Sequence, residues 1–176
     1  MVQAYNRIPK DLYYLEIAKV VSLRSTCLRK HYGAVIVKND RIISTGYNGA
    51  AANLPNCSDQ NYCYRMQNDV PRGTDYTTCK SVHAEQNAII PVSLIELMGS
   101  TLYLYGYDME NSCIVENPGC CTMCKRMIIN SHIDTVVFAD KDGVCRDAHP
   151  TKDFGYKVVS VQRDWIDHYT AEIMGY

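Results

Sequence analysis

The sequence HAE at residues 83–85 is followed later in the chain by CTMC at residues 121–124. One imidazole and two thiolates hold Zn²⁺ firmly and leave the fourth tetrahedral position open for water. The carboxylate two residues after the histidine is a base placed beside that water, which a purely structural metal site does not need. The pattern therefore predicts a hydrolytic zinc site. The predicted ligands are His83, Cys121 and Cys124, and the predicted catalytic acid and base is Glu85.

Each motif carries little weight by itself, since a CxxC pair is also typical of structural zinc knuckles and redox pairs. Two cysteines separated by two residues bind one ion well at a helix start, where first-turn N–H groups favour thiolate. Residues 122–130 have the pattern of such a helix. Because residues two apart do not share a helix face, His83 and Glu85 fit a second helix N terminus. Two helix starts together favour a catalytic site.

The composition predicts one cytoplasmic domain over residues 1–176. The chain is 47% hydrophobic, which is enough for a substantial core. It has no run of about 18 apolar residues and no secretory hydrophobic segment in residues 1–10, so we expect no membrane partner. Nine cysteines in such a chain indicate metal binding rather than disulfides. A net charge of −1, with Lys and Arg scattered, argues against a long nucleic acid as partner.

Hydrophobic periodicity predicts alternating helices and strands around the two motifs. The predicted helices are residues 11–24, 82–90, 122–130 and 164–174, and the predicted strands are residues 33–37, 41–45, 101–105, 135–139 and 156–161. The first two strands are joined by a polar turn and form a hairpin. The third and fourth strands flank a helix, so we expect a parallel crossover. Residues 47–80 are polar and long, which indicates a loop that something other than a core must hold.

Four segments resemble one enzyme family in their order and spacing. They are RSTC at 24–27, GAVIV at 33–37, GYNG at 46–49 and HAEQNAI at 83–89. Over about residues 10–140 the chain resembles the deoxycytidylate (dCMP) deaminases, and zinc deaminases carry H-x-E and P-C-x-x-C signatures. The resemblance implies a three-layer α/β/α cytidine-deaminase-like fold with a mixed sheet of about five strands. It also implies hydrolysis of dCMP to dUMP and ammonia, at a zinc site near the carboxyl end of the sheet.

The chain departs from the family pattern just before the second motif. Residues 118–121 read PGCC, where the family usually has Pro-Cys directly after a strand, and a longer segment, residues 108–117, precedes them. Cys120 is therefore an alternative to Cys121 as a metal ligand. His132 stands where the family commonly has Gly, and we expect it to end the preceding helix, because His tolerates the left-handed conformation better than most residues.

The resemblance also implies contacts with nucleotides. Substrate contacts are expected from Asn48 to a sugar hydroxyl, from Arg24 to the phosphate, and from Ala84. Contacts with dCTP and dTTP as effectors, in a homohexamer, are expected from Gly46, Tyr47, Asn48 and Gly49. Two of these residues have simpler interpretations. Asn48 is typical of a turn between glycines, and Arg24 is equally typical of a solvated charge at a helix end.

Some dCMP deaminases that resemble this chain carry a second zinc, and the cysteines left over by the first site predict one here. Three of the four lie in or beside the polar segment 47–80, which lacks the apolar content to fold alone. The predicted ligands are Cys27, Cys57, Cys63 and Cys79, of which the first two match the family best. Such a site would fasten the loop to the end of the first helix. The alternative is that Cys27 is a small buried apolar residue and the loop cysteines are free thiols.

Two other functions are compatible with the sequence. A different zinc deaminase would act on a free base, a cyclic intermediate or an adenosine in RNA, and assays with dCMP, CMP, cytidine and guanine distinguish these substrates. A non-catalytic zinc module would bind a partner instead. Glu85 argues against that module, because a structural site gains nothing from an unligated carboxylate beside the metal.

Overall fold

A computed structural model of the chain describes residues 7–71, 74–115, 119–141 and 154–168. Its helices are α1 (Lys10–Ser22), α2 (Cys57–Gln60), α3 (Tyr64–Gln67), α4 (Ala84–Ile89), α5 (Leu94–Leu97) and α6 (Thr122–Asn130). Its strands are β1 (Lys30–Lys38), β2 (Arg41–Tyr47), β3 (Gly49–Ala50), β4 (Ser81–Val82), β5 (Thr101–Asp108), β6 (Cys113–Ile114), β7 (Thr135–Asp140) and β8 (Gly155–Ser160). A 3₁₀ turn covers Tyr76–Thr78, and a π-helical turn covers Val161–Ile166. None of the described helices is long and apolar enough to cross a membrane.

Strands β2, β1, β5, β7 and β8 lie side by side, in that order, in one mixed sheet. Strand β1 pairs antiparallel with both β2 and β5, and β7 pairs antiparallel with β8. Strands β5 and β7 run parallel, as predicted for strands that are joined through a helix, here α6. The short β6 extends the sheet beside the end of β5, while β3 pairs with β4 outside this sheet. The predicted mixed sheet of about five strands is confirmed.

Helices cover both faces of the sheet, because the central strands carry apolar residues on each side. On one face, Val35 of β1 belongs to a core that includes Leu15 of α1. On the other face, the neighbouring Ile36 belongs to a second core, with Ala88 of α4 and Ile128 of α6. The two cores make three layers, so the α/β/α architecture implied by the resemblance is confirmed.

Two glycines allow helices to lie directly on the strands. A Cβ atom on Gly33 would lie 2.0 Å from the carbonyl oxygen of Ala18 in α1. A Cβ atom on Gly46 would lie 2.4 Å from both the carbonyl oxygen of Ala84 and the amide nitrogen of Ala88 in α4. Any side chain at either position would overlap helix backbone. Since α4 begins at a predicted metal ligand, Gly46 sets the distance between that ligand and the sheet.

The turns follow the predicted local chemistry. Asn39 and Asp40, between β1 and β2, have φ of 48° and 63°, the left-handed pair of a two-residue hairpin turn. His132 has φ of 53° just after α6. The prediction that it ends this helix in the left-handed conformation is therefore confirmed.

Two predicted segments differ from the structure. The predicted loop over residues 47–80 contains β3, α2, α3 and the 3₁₀ turn, although its two α-helices have only 4 residues each. Hydrophobic periodicity does not reveal these short helices and turns, because they are stabilised by individual hydrogen bonds and not by an apolar stripe. The predicted last helix, residues 164–174, is wrong at its start, since the π-helical turn already begins at Val161. Residues 169–174 lie outside the described residues.

We expect Gly46→Ala to lower the free energy of unfolding by about 1–3 kcal/mol, because the added methyl group overlaps the backbone of α4. Urea denaturation measures this change. Gly119→Ala is a matched control, because a Cβ atom on Gly119 meets nothing within 4 Å. Equal stability of the two variants would show that α4 does not depend on the close approach at Gly46.

Candidate active site

Two helix N termini bring the three predicted zinc ligands together. His83 is the N-cap residue of α4, Cys121 is the N-cap residue of α6, and Cys124 lies in the first turn of α6. The Nδ1 atom of His83 lies 3.4 Å from the Sγ atoms of both cysteines. Nitrogen and sulfur ligands of one tetrahedral Zn²⁺ are separated by about 3.5 Å, given Zn–N and Zn–S bonds of about 2.0 and 2.3 Å. The three donors therefore fit this ion without rearrangement.

The start of α6 favours thiolate at Cys121. The backbone N–H of Cys124 donates to the Sγ atom of Cys121, at 3.5 Å. Hydrogen bonds from the Cys124 side chain, from His83 and from this backbone group lower the pKa of Cys121 to about 4. A thiol with so low a pKa is deprotonated at neutral pH, which is the form that binds metal.

Glu85 lies near the three predicted zinc ligands but does not belong to their donor group. Its side chain is buried at 5% exposure, and this burial raises the pKa of the carboxyl group above its usual range. A raised pKa brings a carboxylate closer to the range in which it can both accept and return a proton. The thiol of Cys120 donates a hydrogen bond to this carboxylate. Cys120 therefore contacts Glu85, whereas Cys121 contacts His83.

The orientation of α4 is held by contacts at its first turns. The backbone N–H of His83 donates to Oε1 of Gln86, at 2.9 Å. Nδ2 of Asn87 donates to the carbonyl oxygen of Tyr47 at the end of β2, at 2.7 Å. The ring of Tyr76 packs edge-on against the ring of His83, with centroids 5.1 Å apart. These contacts restrict the imidazole to the direction of the two cysteines.

A cavity of about 380 Å³ opens beside these ligands. This volume lies within the range of about 300–1,000 Å³ that is typical of small-molecule sites. Its wall includes predicted ligand and catalytic residues, the predicted substrate residues Asn48 and Ala84, and all four cysteines of the predicted second site. The cavity is therefore the place where a substrate can reach Glu85.

Asn48 is buried in the cavity wall and organises the backbone around it. Its Oδ1 atom accepts hydrogen bonds from the Ser25 hydroxyl, at 2.7 Å, and from the Tyr32 amide, at 2.8 Å. Its Nδ2 atom donates to the carbonyl oxygen of Lys30, at 2.9 Å. An amide nitrogen has two hydrogens, so one donor of Asn48 is left for a ligand in the cavity. These hydrogen bonds give Asn48 a structural role, and its contact with a substrate stays a prediction.

The other residues that the resemblance implied lie away from the cavity wall. Arg24 is exposed just beyond the end of α1 and does not line the cavity. Gly46 is buried against α4, and Gly49 is buried against the Thr26 hydroxyl. Tyr47 is exposed at the end of β2. The roles of these four residues in binding phosphate or effectors stay predictions.

The four cysteines of the predicted second site approach one another along the cavity wall without forming a compact cluster. Within the described part of the chain, the only group of three donors within 4.8 Å of one another is that of His83, Cys121 and Cys124. Burial raises the pKa of Cys27 and of Cys57, and nearby Cys63 adds to the effect at both. The structure therefore brings these thiols to one region but does not arrange them as zinc ligands.

Several residues that line the cavity were not predicted from the sequence. They are Arg29, Lys30, Tyr32, Arg65, Tyr76 and Ser81. None belongs to a motif, and Arg65 lies in the segment predicted as a loop. A guide in the sequence is that Arg29 and Lys30 follow the RSTC segment after one intervening residue, but the direction of their side chains depends on the tertiary structure. The fold, the three metal donors and the buried glutamate together define a hydrolase of the zinc-deaminase class.

Comparison with known proteins agrees with this class. The family described as the cytidine and deoxycytidylate deaminase zinc-binding region matches residues 8–140. The deoxycytidylate deaminase of Mycobacterium phage D29 is 38% identical over 133 residues, which are 73% of this chain and 92% of that protein. That of Schizosaccharomyces pombe is 35% identical over 95 residues, 54% of this chain, but the match covers only 29% of the yeast protein.

A solved structure shows the same fold. The apo dCMP deaminase of cyanophage S-TIM5 has a TM-score of 0.50 at 24% identity, over 76% of this chain and 86% of that chain. The chain belongs to the cytidine and deoxycytidylate deaminase family.

We expect Cys121→Ser to remove about one zinc per chain, because this thiol lies with His83 and Cys124 in the metal-binding geometry. Cys120→Ser is a matched control, and we expect it to keep that zinc because Cys120 contacts Glu85 instead. Elemental analysis of the purified variants measures the difference. Loss of zinc from the Cys120 variant, with full zinc in the Cys121 variant, would move the ligand assignment by one residue.

Proposed function

We propose that the protein is a zinc-dependent hydrolase that converts dCMP to dUMP with release of ammonia. The observation that carries the proposal is a buried glutamate beside a His/Cys/Cys donor set, in a cavity large enough for a mononucleotide. Relatives named deoxycytidylate deaminase support the choice of dCMP, and that of phage D29 is covered over 92% of its length. The protein would thereby supply dUMP, a precursor of thymidine nucleotides.

Different residues of the chain bind the metal, transfer protons and contact the substrate in this reaction. His83, Cys121 and Cys124 would hold Zn²⁺, which supplies the Lewis acidity that lowers the pKa of a bound water toward about 7. Glu85 takes a proton from the attacking water as oxygen adds to C4 of the cytosine. The same carboxyl group delivers this proton to N3, then takes the second proton from the hydroxyl group now on C4 and passes it to the amine, which leaves C4 as ammonia while C4 keeps its oxygen as a carbonyl. The free donor of Asn48 would hold a sugar hydroxyl.

A second zinc deaminase activity is the main alternative, since CMP or another aminated base presents the same C–N bond. The departure of residues 118–121 from the family pattern favours this alternative. Kinetics with dCMP, CMP and cytidine separates the two. Turnover of cytidine as efficient as that of dCMP would contradict the nucleotide assignment.

We expect Glu85→Gln to keep its zinc but to lose turnover by about 10²–10⁴-fold or more, because the amide cannot accept and return a proton. Glu96→Gln is a matched control, since Glu96 is exposed in α5 and hydrogen-bonded to Ser93. The measurements are steady-state kinetics and metal content of both variants. Near-normal turnover by a folded Glu85→Gln protein would contradict the mechanism.

The proposal includes a second, structural zinc held by cysteines of the cavity wall. The proposed ligands are Cys27, Cys57, Cys63 and Cys79. Their support is a shared location along one cavity, where burial and nearby thiols raise the pKa values of Cys27 and Cys57. A tetrahedral zinc would require these sulfur atoms to move closer together, so binding of the ion would tighten the segment over residues 47–80.

We expect two zincs per chain in the purified protein, and about one in Cys57→Ala, whose segment should become more sensitive to proteolysis. Cys113→Ala is a matched control, because Cys113 is a free cysteine in β6 that does not line the cavity. Elemental analysis and limited proteolysis measure both effects. A single zinc per chain in the wild-type protein would contradict the second site.

The remaining parts of the proposal concern assembly and regulation. The resemblance to the family implies a homohexamer whose activity responds to dCTP and dTTP, with effector contacts in the GYNG segment at residues 46–49, and the composition leads us to expect a cytoplasmic protein. Tyr47 is the exposed residue of this segment and is the one available to a ligand or a neighbouring subunit. Gly46 packs against α4, and Gly49 packs against Thr26.

A further inference from the structure

Arg65 places a buried cation in the cavity wall. Its side chain lies in α3 and the residue is 7% exposed. Nη1 donates to the carbonyl oxygens of Thr74, at 2.7 Å, and Asp75, at 2.8 Å, while Nη2 donates to that of Pro71, at 2.8 Å. These acceptors carry no net charge, and no carboxylate among the described residues forms an ion pair with the guanidinium. A buried charge without a counter-ion is costly, so an anion is the missing partner.

Arg29 brings a second guanidinium to the same turn. Its Nη1 atom donates to the carbonyl oxygen of Val70, at 3.1 Å, directly before the Pro71 carbonyl that binds Arg65. Both side chains line the cavity, and Arg29, too, has no ion pair with a described carboxylate. Two positive groups held on successive carbonyls repel each other unless a negative group lies between or beside them. The turn therefore holds two positive charges in the cavity wall.

The third cation of the cavity wall differs from these two. Nζ of Lys30 lies 2.7 Å from a carboxylate oxygen of Asp108, and both side chains are largely buried. The charge of Lys30 is therefore already balanced within the protein. The two arginines provide the uncompensated charge of the cavity.

Donors remain free on both arginines. A guanidinium has five N–H groups. Arg65 uses three on described residues and keeps Nε–H and one Nη2–H, while Arg29 uses one. Arginine forks bind the oxygens of a phosphate with paired, charge-assisted hydrogen bonds. The free groups match a phosphate monoester better than a neutral sugar.

The ring of Tyr76 contacts both Arg65 and the predicted metal ligand His83. The Cζ atom of Arg65 lies 5.3 Å from the centroid of the Tyr76 ring, and that ring lies 5.1 Å from the ring of His83. The cation thus stands one aromatic ring away from the metal donors. In a nucleotide, the sugar separates the base from the phosphate in the same way.

We propose that Arg29 and Arg65 form a two-arginine clamp for the 5′-phosphate of the substrate and make the enzyme selective for nucleotides over nucleosides. The proposal rests on the deaminase function above and assigns phosphate recognition to residues other than the exposed Arg24. Glu85, Asn48 and the clamp, which line the same cavity, would then contact the base, the sugar and the phosphate, respectively.

The test compares two substrates that differ only in the phosphate. For Arg29→Met and Arg65→Met, we expect kcat/KM for dCMP to fall on the order of 100-fold each, while kcat/KM for deoxycytidine changes less than about threefold. Arg65→Lys should keep part of the preference for dCMP, since it retains the charge but loses the fork. Calorimetry with the product dUMP and with deoxyuridine provides a readout that does not depend on turnover.

Matched outcomes separate the clamp from a structural role and from the proposed function. Arg41→Met, an exposed arginine of β2 outside the cavity, should change neither substrate. If Arg65 only holds its turn, both substrates lose efficiency equally, and if Arg24→Met alone removes the preference for dCMP, the clamp is wrong. Should Arg65→Met fail to fold, Arg29→Met and Arg65→Lys decide the question. Absence of any deamination by the wild-type protein would instead contradict the proposed function.

Discussion

The geometry of this protein depends on two helix N termini that lie next to each other. The Nδ1 atom of His83 at one of them is 3.4 Å from the Sγ atom of Cys121 at the other. His83 caps α4 and Cys121 caps α6, so each ligand stands where unpaired backbone N–H groups face the site. The helices can meet there because Gly46 allows α4 to lie on β2 without an intervening side chain. The second core, shared by both helices and the sheet, then holds their relative position. The metal donors are thus preorganised by packing, and zinc would bind without a large rearrangement.

The segment between β2 and β4 acts as the outer wall of the active site, although it has little apolar content of its own. Polar contacts take the place of a core: the guanidinium of Arg65 binds three carbonyl oxygens, and Asn48 makes three hydrogen bonds to the backbone and to Ser25. Such contacts are individually modest, so the segment depends on many of them at once.

The chemistry of the site follows from unequal surroundings of similar groups. Cys120 and Cys121 are neighbours in sequence, but burial beside Glu85 raises the pKa of the first, and hydrogen bonds at the start of α6 lower that of the second. Glu85 itself is removed from water, which favours a carboxyl group that exchanges protons. The cations of the cavity wall also differ in their partners. Lys30 forms an ion pair with a carboxylate, whereas Arg29 and Arg65 donate to carbonyl oxygens, which carry no net charge.

The sequence by itself determined the elements and the metal donors. Periodicities of 2 and 3.6 residues depend on local burial, so they revealed α1, the hairpin and the strands on either side of α6, and ligand chemistry singled out His83 and the CxxC pair. Only the tertiary structure decided which of Cys120 and Cys121 faces His83, that Arg24 lies outside the cavity, and that Arg65 lies within its wall. The reason is physical: side-chain directions at a site made from five separate segments depend on long-range packing, which leaves no periodic pattern in the chain.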